Sequence, residues 1–263
     1  MKIHPSSIIE PGAKIGVGAS IGPFCCIGPD VELGDYVELV SHVSISGITK
    51  IGEKTKIFPF ASIGHRPQDL KYAGEPSTTI IGANNTIREY VTIQPGTADD
   101  AMQTVVGDHC LFMVGSHVAH DCIVGNHVIM ANNATLGGHV KIGNYTIIGG
   151  LAAVKQRVRI GDHAMIGGMA GVEHDVIPFG MVVGERGWLN GLNLVGMKRR
   201  GFNKEVITKL QEIYADLFVP QNDIPLSERL AELHQKHAND ADAQILLNFL
   251  EGRSNSLCQP KAV

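Results

Sequence analysis

The stretch from Val106 to Val172 decides the fold, and it reads VGDHCL-FMVGSH-VAHDCI-VGNHVI-MANNAT-LGGHVK-IGNYTI-IGGLAA-VKQRVR-IGDHAM-IGGMAG-V. An aliphatic or other large apolar residue opens every hexad, and a small or β-branched residue stands two positions before most of these residues. A period of six fits neither an α-helix nor a simple alternating strand. It is typical of the hexapeptide repeats of a parallel β-helix.

The same period begins at Ile3 and continues to Ile63, which predicts a mainly β protein with a parallel β-helix over residues 1–190. Three hexads form one coil of eighteen residues, so residue n lies about 4.8 Å from residue n+18. Each aliphatic side chain that the stack buries fully contributes roughly 1.5–3 kcal/mol. Three cysteines at small inward positions are predicted to be buried hydrophobic residues: Cys25, Cys110 and Cys122.

The repeat is interrupted twice, and each interruption predicts a loop. Residues 65–79 lack the pattern, which resumes at Ile81, so this stretch is expected to occupy the length of one coil after Ile63. A segment that loops out of a regular coil usually serves a site. Residues 94–104 shift the register by one position, and we expect this second loop to pack against a neighbouring subunit.

After Val172 the hexads fade, and residues 178–201 are predicted to be an irregular connector. Helical spacing of apolar residues then begins, with Asn203 as the N-cap of a first helix. Two more amphipathic helices are predicted at Leu226–Ala238 and Ala241–Leu250. Residues 191–263 are therefore predicted to be a connector and a helical domain that covers the open end of the coil, with a frayed tail after Glu251.

Composition limits the function classes. The chain has 263 residues and a formal net charge of −4, which gives no general reason to expect a nucleic-acid partner. No apolar run approaches the roughly 18 residues that would span a membrane. The first residues, Met-Lys-Ile-His-Pro, do not resemble a signal peptide, so we expect a cytoplasmic protein.

His120 and Gly138 are the candidates for chemistry. His120 follows the inward residue Val118 by two positions, and Gly138 follows His120 by eighteen, so stacking predicts that they are neighbours, with His139 adjoining. A general base beside an open backbone N–H is suited to acyl transfer, where the base contributes about 10²–10⁴-fold. Glycine has no Cβ that would obstruct the acyl carbonyl.

Spacing alone leaves two other interpretations open. The chain has twelve histidines, and His120 could belong to a solvated polar face. We expect eight histidines to be surface residues, namely His4, His42, His109, His127, His163, His174, His234 and His237. Zinc is the second alternative, because imidazole is a common zinc ligand and three outward histidines are available at His117, His120 and His139.

Four segments together resemble the UDP-N-acetylglucosamine O-acyltransferase family. They are Gln68–Pro76 (QDLKYAGEP), Ser116–Cys122 (SHVAHDC), Ala131–Leu136 (ANNATL) and Met197–Phe202 (MKRRGF). The resemblance covers essentially the whole chain, and the order of the four segments is more specific than the hexads. It implies a left-handed parallel β-helix with a C-terminal helical domain, assembled as a homotrimer with active sites between subunits.

The resemblance also implies a reaction. A 3-hydroxyacyl group moves from acyl carrier protein to the glucosamine 3-hydroxyl of UDP-N-acetylglucosamine, the cytoplasmic step that opens lipid A biosynthesis. No metal or other cofactor is implied, because the phosphopantetheine thioester of the carrier is the donor substrate. His120 matches the general base, Asp121 a residue that supports it, and Gly138 the oxyanion donor.

The residues that match substrate-binding positions are Gln68, Asp69, Lys71, His117, His139, Lys155, Gln156, Asn193, Arg199 and Arg200. A guanidinium fork fits phosphate, and the basic run at 198–200 could also dock the acidic carrier, although a solvated basic turn is the alternative. Lys155-Gln156-Arg157 departs from the His-Gln-Phe that is frequent in the family. Gly168 matches a position that limits acyl length when it is bulky, so we expect a longer chain here, and shorter donors after Gly168→Met.

Alternative functions remain at this stage. One is the same reaction on a sugar with a 3-amino group. Others are a coenzyme A-dependent acetyltransferase, or the N-acyltransferase of the same pathway, on the same repeats. A zinc carbonic anhydrase and a non-catalytic solenoid belong to different classes, and the two loops beside the histidines argue against the latter.

Overall fold

In a computed structural model of the protein, residues 2–218, 224–251 and 256–261 are described. Their strands form a parallel β-helix with three sheets, A, B and C. Sheet A consists of β1 (Lys2–Ile3), β4 (Ser20–Ile21), β7 (Glu38–Leu39), β10 (Lys56–Ile57), β13 (Thr86–Ile87), β16 (Leu111–Phe112), β19 (Ile129–Met130), β22 (Ile147–Ile148), β25 (Met165–Ile166), β27 (Gly180–Val183) and β28 (Trp188–Leu192). Sheet B consists of β2 (Ile8–Ile9), β5 (Cys26–Ile27), β8 (Ser44–Ile45), β11 (Ser62–Ile63), β14 (Thr92–Ile93), β17 (His117–Val118), β20 (Thr135–Leu136), β23 (Ala153–Val154) and β26 (Gly171–Val172). Sheet C consists of β3 (Lys14–Ile15), β6 (Val31–Leu33), β9 (Ile48–Ile51), β12 (Thr78–Ile81), β15 (Gln103–Val106), β18 (Ile123–Val124), β21 (Lys141–Ile142) and β24 (Arg159–Ile160).

The register of the central coils confirms the repeat. Val118 pairs with Leu136, and Leu136 pairs with Val154, each eighteen positions further along the chain. Because successive side chains of a strand point to opposite faces, the hexad residue points inward while its neighbour points out. The inward residues form one continuous buried core, which also contains the three cysteines predicted there.

Turns between the sheets form three corners of the coil. The BC corner, between sheets B and C, includes residues 119–122 and 137–140, the CA corner includes 143–146, and the AB corner includes 149–152. Many of these turns contain a non-glycine residue with φ near +60°, such as Asp121 with φ 58°. This conformation is uncommon for L-residues. It is maintained here because hydrogen bonds run from coil to coil at these turns, such as the one from the Tyr145 N–H to the Asn126 carbonyl at 2.8 Å.

Rings at equivalent turn positions stack along the CA corner. A ladder with ring centroids 4.6–5.3 Å apart is formed by His109, His127, Tyr145, His163 and Phe179. The spacing follows from the strand spacing of the sheets. The prediction of eight surface histidines is therefore correct for the four that are exposed, namely His4, His42, His109 and His174. It is wrong for His127 and His163, which are half-buried in the ladder, and for His234 and His237, which are half-buried in the helical part.

Both loops leave the coil at the BC corner. Ile63 pairs with Ile93, thirty positions later, so the first loop inserts twelve residues into one ordinary coil. The prediction that the first interruption takes the place of a whole coil was wrong, because β12 follows the loop directly and completes the coil that it interrupts. Ile93 pairs with Val118, twenty-five positions later, so the second loop inserts seven.

The predicted irregular connector contains ordered strands. β27 continues sheet A in parallel, and β28 returns antiparallel to it as the last strand of that sheet. A reversal of the chain cannot keep the hexad period, which explains why the pattern failed here. The antiparallel strand covers the open end of sheet A.

Helices follow in the described part of the chain as α1 (Leu194–Arg199), α2 (Lys204–Phe218), α3 (Leu226–Lys236) and α4 (Ala241–Leu250). The N-cap prediction is confirmed, since the Val206 N–H donates to Asn203 Oδ1 at 2.9 Å. Helix α2 lies against β28, and α4 contacts the coil where Arg159 lies over the Phe249 ring. None of the described helices is long and apolar enough to cross a membrane.

The tail was predicted to fray, and for residues 256–261 this was wrong. Leu257 and Cys258 are buried, and the Cys258 N–H donates to the Asp175 carbonyl at 2.8 Å. Leu189 likewise donates to Gln259 at 2.8 Å. An unperiodic segment of six residues carries no sequence signal for such docking. Residues 252–255, 262 and 263 lie outside the described part of the chain.

Candidate active site

His120 and Asp121 form a hydrogen-bonded pair at the BC corner, directly after β17. His120 Nδ1 lies 2.8 Å from Asp121 Oδ2, and the two residues are 6% and 3% exposed. Because a carboxylate only accepts, Nδ1 is assigned the proton, which leaves a lone pair on Nε2. This is the tautomer that a general base requires.

Gly138 lies against the imidazole of His120, where the eighteen-residue repeat predicts it. A Cβ on Gly138 would be 2.5 Å from both Cε1 and Nε2 of His120. The position therefore accepts only glycine unless the ring moves.

The amide of Gly138 differs from the amides at equivalent positions of the CA corner. At the CA corner the equivalent N–H groups donate to side chains of the next coil, as Asn126 does to Asn144 Oδ1 and Asn144 to Asp162 Oδ1, both at 2.8 Å. Among the described residues, no hydrogen bond of this kind is found for the Gly138 N–H. That N–H is therefore open to an acceptor from outside the described chain.

The first loop brings three of the predicted substrate-binding residues to this corner. Asp69 Oδ2 lies 3.8 Å from His120 Nε2, which is too far for a hydrogen bond. The Gln68 N–H donates to Gln94 Oε1 at 3.1 Å. Lys71 Nζ contacts Asp99 Oδ2 at 2.6 Å, and this hydrogen bond raises the pKa of Lys71 and lowers that of Asp99.

The second loop contributes residues that sequence reasoning missed. Thr97 donates from its N–H and its hydroxyl to the carboxylate of Asp121. His139 Nδ1 lies 2.8 Å from Asp100 Oδ2, and this hydrogen bond lowers the pKa of Asp100. The expectation that this loop also packs against a neighbouring subunit stays a prediction, because the contacts described here are with its own coil. The acidic pair after Thr97 was the available signal. No spacing in the sequence links Thr97 to Asp121, 24 positions later, or Asp100 to His139, 39 positions later.

Other predicted residues flank the pair. The His120 and His139 rings meet edge to face, with centroids 5.0 Å apart. His117 lies on β17 with its Nδ1 2.6 Å from Thr92 Oγ1, and burial, followed by the charge of His120, lowers the pKa of His117. Two exposed residues lie one coil beyond Gly138 at the same corner, namely Lys155 and Gln156.

Four predicted residues lie elsewhere in the subunit. Asn193 caps α1 by accepting from the Gly196 N–H at 3.0 Å, and it donates to the His163 carbonyl at 3.0 Å. Arg200 donates to the Tyr145 carbonyl and lies 5.8 Å from the centre of that ring, so it is also at the CA corner. The other two are exposed, Arg199 on α1 and Gly168 at the AB corner.

The zinc hypothesis can be compared with the geometry. In the described part of the chain, His120, Asp121 and His139 have possible ligand atoms within 4.8 Å of one another, and His117 does not join this group. The Nδ1 atoms of both histidines are already bonded to carboxylates, Asp121 and Asp100. An imidazole with Nδ1 bound to a carboxylate and a free Nε2 can take up a proton or bind a metal, so this geometry is compatible with both.

Two family models and a close relative match this chain. A family model described as "Udp N-acetylglucosamine O-acyltransferase; Domain 2" matches residues 175–258, and one for bacterial transferase hexapeptide repeats matches residues 103–138. The acyl-[acyl-carrier-protein]–UDP-N-acetylglucosamine O-acyltransferase of Methylobacterium radiotolerans is 62% identical over 262 residues, 99% of this chain and 96% of that protein.

Solved structures agree over the whole molecule. A crystal structure of UDP-N-acetylglucosamine acyltransferase is 40% identical with a TM-score of 0.95, and the match covers 100% of both chains. The Acinetobacter baumannii LpxA structure is 39% identical with a TM-score of 0.93, over 98% of this chain and 99% of that one. The shared fold is the left-handed parallel β-helix with its C-terminal helices. The chain therefore belongs to the family of acyl-[acyl-carrier-protein]–UDP-N-acetylglucosamine O-acyltransferases.

Proposed function

We propose that this protein transfers a 3-hydroxyacyl group from acyl carrier protein to the glucosamine 3-hydroxyl of UDP-N-acetylglucosamine, with His120 as the general base. The reaction is the opening step of lipid A biosynthesis, and we place it in the cytoplasm. The donor is the phosphopantetheine thioester of the carrier, so the acyl carrier is a substrate and not a cofactor. The observation that carries the mechanism is the His120–Asp121 pair against the Gly138 amide.

In the proposed step the sugar 3-hydroxyl donates to His120 Nε2 and attacks the thioester carbonyl. The proton passes to Nε2, and the Asp121 carboxylate stabilises the imidazolium that forms. The negative charge on the former carbonyl oxygen is stabilised by the Gly138 N–H. Collapse of the tetrahedral intermediate breaks the C–S bond, and the imidazolium returns the proton to the departing thiolate.

The substrate-binding residues are divided between corners, which supports a homotrimer with sites between subunits. The BC corner holds Gln68, Asp69, Lys71, His117, His139, Lys155 and Gln156 around His120. In the proposal, a coil domain of residues 1–190 supplies this half, and a helical domain of residues 191–263 in another subunit supplies the other. That other half consists of Asn193, Arg199 and Arg200. The guanidinium groups of the two arginines suit diphosphate.

Gly168 is proposed to set the acyl-chain limit. It is exposed at the AB corner, and a Cβ there would meet the Gly150 carbonyl oxygen at 3.3 Å. His120 lies at a different corner of the same chain, so in the proposal Gly168 approaches the His120 of a second subunit. Lys155 places a cation beside the cleft where relatives often have an imidazole, and Arg199 lies in the basic run that we propose docks the acidic carrier.

The test is His120→Ala, assayed with acyl carrier protein charged with 3-hydroxyacyl chains and UDP-N-acetylglucosamine. We expect turnover to fall by about 10²–10⁴-fold, because the general base is lost. Circular dichroism and sedimentation should match the unmodified protein. His4→Ala, which removes an exposed histidine far along the coil, is the control and should retain full turnover. Near-normal activity of His120→Ala would end the mechanistic proposal.

A further inference from the structure

We infer that Thr97 is a positioning residue that holds the Asp121 carboxylate in its hydrogen bond with His120. This inference rests on the proposed function. Thr97 is 3% exposed and lies in the second loop. Its N–H donates to both carboxylate oxygens of Asp121, at 2.9 and 3.0 Å, and its hydroxyl lies 2.6 Å from Oδ2. Thr97 thus provides three of the hydrogen-bond contacts to a side chain that is 1% exposed.

Two imidazoles compete for this carboxylate. Asp121 Oδ2 lies 2.8 Å from His120 Nδ1 and 3.9 Å from His139 Nδ1. A rotation of the carboxylate toward His139 would leave the His120 ring free to turn or to exchange its tautomer. The bifurcated Thr97 N–H and the hydroxyl bond together fix the plane of the carboxylate, which prevents that rotation.

The same loop satisfies the competing imidazole. Asp100 Oδ2 accepts from His139 Nδ1 at 2.8 Å, so each ring has its own carboxylate. Asp100 follows Thr97 by three positions, and this short span lets one loop position both rings. The second loop therefore determines which of the two histidines is hydrogen-bonded to Asp121.

Gly96 allows the second loop to lie close to the Asp121 carboxylate. A Cβ on Gly96 would lie 2.7 Å from Asp121 Oδ1 and 1.9 Å from the Gln103 nitrogen. Any side chain would displace the Thr97 N–H from the carboxylate. The loop is also fastened to the first loop, because the Ala98 N–H donates to Glu75 Oε1 at 3.0 Å.

The experiment compares Thr97→Val, which removes the hydroxyl at nearly constant shape, with Thr97→Ser, which keeps it. We expect Thr97→Val to lower kcat roughly tenfold with little change in the KM for UDP-N-acetylglucosamine, as for one lost bond to a charged group. Thr97→Ser should restore most of kcat. A loop that had merely lost its structure would raise KM, because Lys71 of the first loop is tied to Asp99.

A double-mutant cycle with Asp121→Asn tests the route of the effect. If Thr97 acts through Asp121, Thr97→Val should have little further effect on kcat in the Asp121→Asn background. Unchanged kcat in Thr97→Val, an equal loss in both backgrounds, or failure of Thr97→Ser to restore turnover would each overturn the inference. These outcomes leave the result for His120→Ala untouched, so failure here is distinct from failure of the proposed function.

Discussion

At the scale of residues, the site depends on glycines as much as on the side chains beside them. A Cβ on Gly138 would lie 2.5 Å from the imidazole of His120, and a Cβ on Gly96 would lie 2.7 Å from Oδ1 of Asp121. Neither glycine has φ in the left-handed region. Each is therefore required by close approach and not by backbone conformation.

Gly138→Ala should consequently abolish most turnover without unfolding the coil. The backbone accepts alanine, but a Cβ 2.5 Å from the ring forces His120 away from the Gly138 amide. We expect kcat to fall by at least about 10²-fold, the size of losing an oxyanion donor. Gly28→Ala is the matched control at the same corner, where the new Cβ would meet Ser46 Cα at 3.4 Å. Equal activity of both variants, measured in the same assay, would contradict this account.

At the scale of elements, side-chain oxygens begin the helices that follow the coil. Asn193, Asn203 and Asp240 each accept from a backbone N–H three residues later, at 2.9–3.0 Å. Asp240 in addition forms an ion pair with Lys209 of α2, which ties the start of α4 to its neighbour. The hydrogen bond with Lys209 is the main reason that the pKa of Asp240 is lowered.

Asp240→Ala should destabilise the protein by about 1 kcal/mol, the usual cost of a lost N-cap, whereas Asp240→Asn keeps the cap. A lowered carboxyl pKa stabilises the fold above the ordinary pKa of the group, and this contribution is lost as pH falls through the lowered value. The difference between the unmodified protein and Asp240→Asn should therefore shrink at acid pH. Urea unfolding at several pH values measures both effects, and identical curves for the alanine and asparagine variants would refute the cap.

At the scale of the whole molecule, the predicted site residues lie at different corners of the coil. The BC corner holds both loops, His120 and Gly138, while the CA corner holds Arg200 and Asn193 against the ring ladder. Corners of one prism cannot reach each other across its buried core. A site that uses both sets of residues thus needs a second copy of the chain.

Subunit mixing tests this arrangement. In the proposed homotrimer, His120→Ala and Arg199→Ala should each be nearly inactive alone. A co-refolded mixture should regain activity, because some of the proposed sites would combine an intact His120 with an intact Arg199 from the next subunit. A random one-to-one mixture should restore about a quarter of the sites in a cyclic trimer. Activity that stays at the level of the separate variants would show that both residues act within one chain. Sedimentation of the mixture checks that trimers have formed.

The sequence by itself determined the coil, its register and the meeting of His120 with Gly138. A hexad period leaves one geometry in which every aliphatic residue is buried, and positions eighteen apart are then neighbours. The helix starting after Asn203 followed equally from local rules, because its cap and apolar stripe are adjacent in the chain.

Only the tertiary structure decided what the two loops do. Thr97 reaches Asp121, and Asp100 reaches His139, across spans without any period, so no pattern in the chain announces these contacts. The same holds for β28 and for the docking of Leu257, where the chain reverses or returns after long gaps. Local and periodic interactions can be predicted from the spacing of residues in the sequence. Contacts between an irregular loop and a distant turn depend on where the folded coil places both, and that is fixed only once the core has packed.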